Sequence, residues 1–109
     1  TLPIALLPPR LPPMKYFACT YTYGENTELV DATRPAHREF IASQLGLGRI
    51  VGSGPYLDGG QALIIIQLPD SATKDDAVSI MDQDPYATAN ALAAREIREW
   101  NPVSNIFAS

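Results

Sequence analysis

Along the chain the spacing of apolar positions changes several times, and each change marks an element. "MKYFACTYTY", residues 14–23, is rich in aromatic and β-favouring side chains without a breaker, which predicts a first strand. The polar stretch "GENTELVDA" reads as a loop. Thr33 then caps a predicted helix with Arg34 and Pro35 in its first turn, continued by the apolar positions Phe40, Ile41, Leu45 and Leu47 and ended by Gly46 and Gly48. "RIVGSGPYL", "DGG" and "QALIIIQL" give strand, tight turn and strand, so residues 49–68 form a hairpin that Pro69 stops.

"DSATKDDAVSIMDQD" offers Ser71 or Thr73 as a cap, with Asp75 and Asp76 complementing the helix dipole and Ala77, Val78, Ile80 and Met81 as a buried face. This second helix is expected to end near Asp84, because the residue before Pro85 is pushed out of helical geometry. "PYATANAL" is a short connector and "AAREIREWNPV" a fourth strand. The order β-α-β-β-α-β predicts an α+β domain, the ferredoxin-like plait, with two helices over one face of a four-stranded antiparallel sheet.

The third strand adds a demand. Ala62, Leu63, Ile64, Ile65 and Ile66 are apolar at both parities, so both faces of that strand call for burial, and two helices cover only one. The economical cover for the other face is the same face of a second copy, so a homodimer is expected, its sheets closing around a shared interior.

Composition sharpens the class. The chain has 109 residues, one domain's worth, 46% of them hydrophobic, without an apolar run long enough to span a bilayer. Five of the ten prolines fall within "TLPIALLPPRLPP", residues 1–13, which is expected to be a separate extended arm or an upstream addition, with Met14 as a natural start; domain 14–109 follows it. The segment lacks the marks of a signal or transit peptide. A net charge of -4 with scattered basic residues argues against a nucleic-acid partner. A lone cysteine, Cys19, permits no internal disulfide and no thiolate metal site, which fits a reducing, cytoplasmic setting, and its position mid-strand makes it a core residue.

The chemistry is sparse. His37, the single histidine, lies one turn before Phe40 and Ile41 on the inner face of the first helix, so it points toward the sheet. Asp82 and Asp84, in "MDQDPY", are the acidic candidates: a carboxylate beside an imidazole fixes its tautomer and raises its basicity, the minimum for general acid/base work. On composition alone, a satisfied core histidine and helix-terminal aspartates bonding their own backbone are the simpler roles. Gly46, Gly48, Gly52 and Gly54 miss the spacing of a nucleotide-binding loop. Gly54-Pro55, within a strand, marks a bend or an edge where space opens, and Tyr16, Tyr21, Tyr23, Tyr56 and Tyr86 line either core or pocket.

Four motifs, "MKYF", "RPAH", "GSGPY" and "DQDPY", stand in order and together resemble the YciI-like family of the dimeric α/β-barrel superfamily, over residues 14 to about 103. The resemblance implies protomers paired sheet to sheet and a shared His-Asp pair, falling on His37 and Asp84, so that Asp84 is preferred to Asp82. Arg34, Gly54 and Pro55 match as substrate-binding positions that shape the pocket. One branch of that family resembles dehydrochlorinases of chlorinated hydroxyquinols, and sister families include muconolactone isomerases and small monooxygenases. The implied activity is a cofactor-independent lyase or isomerase on a small cyclic organic molecule, with no metal and a His37-Asp84 dyad. The alternative is a non-catalytic dimer that binds a small ligand or a protein partner. Haem binding, as in some cousins, is a third outcome and requires His37 free to ligate iron.

Overall fold

The computed structural model describes residues 13–107, so all of the expected arm 1–13 except Pro13 lies outside the described residues. Seven elements follow in order: β1 Met14–Tyr23, α1 Thr27–Gly46, β2 Ile50–Pro55, β3 Gln61–Pro69, α2 Lys74–Met81, α3 Pro85–Thr88 and β4 Leu92–Trp100. The strands form one antiparallel sheet in the order β2-β3-β1-β4, the α+β plait expected from the sequence.

Period 2 sorts the strand residues onto two faces. Toward the helices β1 sends Phe17, Cys19 and Tyr21, which pair with Ile66, Ile64 and Ala62 of β3; Cys19 also pairs with Ile97 of β4. All of these are buried, and Val30, Ile41, Ala77, Met81 and Tyr86 close over them from the helices. The opposite face carries Ala18 and Thr20 beside Ile65 and Leu63, all half-buried. One end of that face is covered by the tail, where the Phe107 ring lies 5.4 Å from Tyr16 and 6.5 Å from Trp100.

The first helix starts two turns before Thr33. Asn26 is its cap, its side chain accepting from the Leu29 amide at 3.1 Å, and Thr33 instead donates its hydroxyl to the Leu29 carbonyl at 2.7 Å. Pro35 is therefore interior, where a missing amide and a ring clash cost about 3 kcal/mol or more. The early turns persist because they are capped and because Val30 is buried and Leu29 packs on the core. The second helix ends at Met81, a turn earlier than expected; Pro85 then opens the separate α3 with Asp84 as its cap. Thr73, not Ser71, caps α2, its amide donating to the Asp76 carboxylate at 2.7 Å. The second and fourth strands are shorter than the stretches 49–57 and 93–103 assigned from the sequence.

One close approach and one tight turn hold the frame. Gly24 donates its amide to the Ala91 carbonyl at 2.9 Å, and a Cβ at Gly24 would sit 2.9 Å from that same oxygen, so no side chain fits where β1 leaves the sheet. Gly59 and Gly60 turn the β2–β3 hairpin at φ of 89° and 80°, a region that favours glycine. Among the described residues no helix is long and apolar enough to cross a membrane.

Candidate active site

Helix α1 presents one stripe at helical spacing, Arg34, His37, Arg38, Ile41, Ala42 and Leu45, to a cavity of about 200 Å³. The facing wall is the end of β2, Ser53 to Pro55, and the rings of Tyr23 and Tyr86 complete the lining. Arg34, Gly54 and Pro55 thus share one cavity with His37. A Cβ at Gly54 would meet no atom within 4 Å, so packing does not demand a glycine there; what its bare backbone leaves is room in the cavity.

Asp84 sits behind His37 and is fully buried. The α3 start places it: Pro85 at the first helical position sets the turn, and Asp84 accepts the Tyr86 amide at 3.0 Å as the cap. Its Oδ2 also accepts the Tyr21 hydroxyl at 2.8 Å. The Nδ1 of His37 lies 2.7 Å from Oδ2 and 2.9 Å from Oδ1. A side chain on a helix and one at a helix cap, 47 residues apart, thereby meet as an ion-pair geometry with the imidazole only 12% exposed.

Tyrosines enclose the pair. The Tyr86 ring stacks on His37 with centroids 4.1 Å apart and planes 20° from parallel, and Tyr23 meets Tyr86 edge-on. Burial first, and then the negative charge of Asp84, push the Tyr21 phenol well above its ordinary value, so it stays a hydrogen-bond donor. Burial likewise raises Tyr86, against the pull of the Arg34 guanidinium beside it. Arg34 is held by Asp31 at 2.9 Å; that bond, with Tyr86 next, keeps its guanidinium firmly protonated. Asp82 belongs elsewhere: it is exposed and pairs with Arg95 at 2.7 Å, so the structure brings Asp84 alone of the two to the histidine. Cys19 is buried beside the pair, and burial pushes its thiol up to about 12, the state of an inert core residue. Among the described residues no three potential ligand side chains converge on a metal position.

A profile of the YCII-related domain matches residues 14–101. The chain belongs to the YCII-related family. No curated protein sequence matches it. Among solved structures it is similar to 5-chloro-2-hydroxyhydroquinone dehydrochlorinase from Burkholderia phenoliruptrix AC1100, in complex with 2,5-dihydroxybenzoquinone: the identity is 17%, the TM-score 0.66, and the match covers 79% of this chain and 93% of that one. At that identity the likeness shows a shared fold.

In this YCII-related chain three parts of the site escape motif reading. Tyr21 and Tyr86 are legible only as aromatics that line core or pocket, and nothing local says that one hydroxyl and one backbone amide converge on Asp84. Arg38 had a usable signal: it stands four residues after Arg34 and one after His37, on the same helix stripe.

Proposed function

We propose that His37 moves a proton on a small organic molecule held in the α1–β2 cavity, as the base of a cofactor-independent lyase or isomerase, with Asp84 as its positioning partner. The observation that carries this reading is the single-sided commitment of the imidazole: Nδ1 is 2.7 Å from a fully buried carboxylate that also takes the Tyr21 hydroxyl and the Tyr86 amide. A carboxylate only accepts, so Nδ1 carries the proton and Nε2 keeps the lone pair for the cavity side. In an elimination Nε2 takes a proton next to the leaving group, the freed electron pair becomes a π bond, and the leaving group departs with its own pair. In an isomerisation the same proton returns to another carbon. Neither route consumes an oxidant or reductant. Such positioned proton transfer is worth roughly 10² to 10⁴ in rate. The dehydrochlorinase whose fold this chain shares supports the lyase class by its name.

We also propose that the partner of this protein is a second copy, seated on the sheet face that carries Leu63 and Ile65. The support is the half-burial of those side chains on the face the helices leave open.

Nitrogen-resolved NMR of the single histidine tests the dyad in an untagged sample. In the wild type the neutral ring is expected as the Nδ1–H tautomer; in Asp84→Asn, whose amide can donate to Nδ1, it is expected to swing toward Nε2–H. An identical tautomer mixture in both proteins refutes the pairing. Turnover on a panel of halogenated and hydroxylated ring compounds, lost in His37→Ala, then separates catalysis from binding alone.

A further inference from the structure

We propose that the His37 cavity selects a small organic anion, about one ring in size, with Arg38 and Arg34 holding the negative group at the cavity rim. This rests on the proton-transfer reading for its consequence, and on separate observations for its support.

The first is the sign of the charge. The chain carries a net charge of -4, yet the ionisable side chains that line this cavity are Arg34, Arg38, His37 and two tyrosines; no carboxylate lines it among the described residues. Asp84 lies behind the imidazole with its oxygens engaged, so it does not present its charge to a ligand. The second is the imbalance between the arginines. They stand four residues apart on α1, a spacing at which like charges repel. Asp31 balances Arg34 at 2.9 Å, whereas Arg38 is exposed and has no carboxylate partner among the described residues. A rim that places an uncompensated guanidinium beside a compensated one, in an acidic protein, attracts anions.

The third observation sets the body of the ligand. Beside the arginines the wall is Ile41, Ala42, Leu45 and Pro55, with the Tyr86 ring next to His37. A closed apolar cavity of about 150 Å³ takes benzene, so about 200 Å³ takes a ring with a substituent. A carboxylate or phenolate oxygen meets the planar guanidinium donors, and the ring lies along the apolar wall. The same guanidiniums then stabilise the charge that grows on the substrate as Nε2 removes its proton, which ties selection to rate.

The probe is benzoate, read by the His37 ring resonances of the untagged full chain, against benzamide as its neutral isostere and acetate as its bodiless counterpart. Benzoate is expected to give a saturable shift with millimolar affinity or better, benzamide and acetate to bind at least tenfold more weakly, and Arg38→Gln to weaken benzoate at least tenfold without changing the melting temperature. Added salt should weaken benzoate binding. Equal binding of benzoate and benzamide, an Arg38→Gln protein that binds benzoate as the wild type does, or no saturation by roughly 10 mM, ten times a millimolar half-saturation, overturns the proposal. The two readings fail separately. Anion selection with a tautomer that ignores Asp84→Asn keeps the anion site and removes the dyad, and the reverse pair of results keeps the dyad and removes the anion site.

Discussion

Replacing Tyr21 by phenylalanine deletes one oxygen from the interior and nothing else. That oxygen donates to Asp84 Oδ2 at 2.8 Å, and both residues are fully shielded from solvent. A hydrogen bond to a charged acceptor contributes about 1.5–3 kcal/mol, and the carboxylate that loses its donor is fully buried. Unfolding residues 13–107 releases entropy of about 200 cal/mol/K near 60 °C, so the loss corresponds to a fall in melting temperature of roughly 7–15 °C. Calorimetry or circular dichroism measures it directly. The cycle with His37→Ala adds a sharper reading, because two groups bonded to one carboxylate are expected to couple by about 0.5–3 kcal/mol. A Tyr21→Phe protein less than about 0.5 kcal/mol weaker than the wild type, with no coupling to His37, refutes the view that Asp84 is a charge held by its donors.

Three further outcomes are expected. Sedimentation at micromolar concentration should show a dimer for the wild type and a folded monomer for Ile65→Arg; a monomeric wild type removes the proposed second copy. Cys19 should resist alkylation until the chain unfolds, and since its folded value is raised from near 9 to about 12, its contribution is complete below pH 9 and lost as pH climbs toward 12, roughly 4 kcal/mol at most, so alkaline melts of Cys19→Ala should fall less steeply than those of the wild type. Gly24→Ala should cost about 1–3 kcal/mol, read by urea unfolding, because its methyl meets the Ala91 carbonyl at 2.9 Å; an unchanged midpoint contradicts the close approach.

The strands were legible because their periods are strong: Met14–Tyr23 stands where its composition puts it, and the Gly59-Gly60 turn fixes the hairpin. The start of α1 was not, for a physical reason. Its first turns face water with Glu28 and Asp31, leaving only Leu29 and Val30 as large apolar marks, and Pro35 is far commoner at a helix start than in its interior. The site divides the same way. His37 on an inner helix face follows from spacing, but its meeting with a residue 47 positions away depends on how α3 docks beside α1, and the choice of Asp84 over Asp82 came through the family resemblance. The tyrosine bonds were out of reach, since a buried hydroxyl takes whichever acceptor the completed packing brings to it.

The cavity wall formed by β2 is also an outer boundary of the sheet, and a boundary strand with free amides can recruit other chains into fibrils. Here that strand is six residues long, broken by an irregularity between Ile50 and Gly52 and closed by Pro55, which has no amide to offer. The other boundary, β4, is guarded differently, by the charges of Arg95, Glu96, Arg98 and Glu99. Rebuilding the β2 end with β-branched residues to grip a ligand more tightly would therefore make the protein more prone to self-templated polymerisation, so colloidal stability constrains how far this cavity can be redesigned.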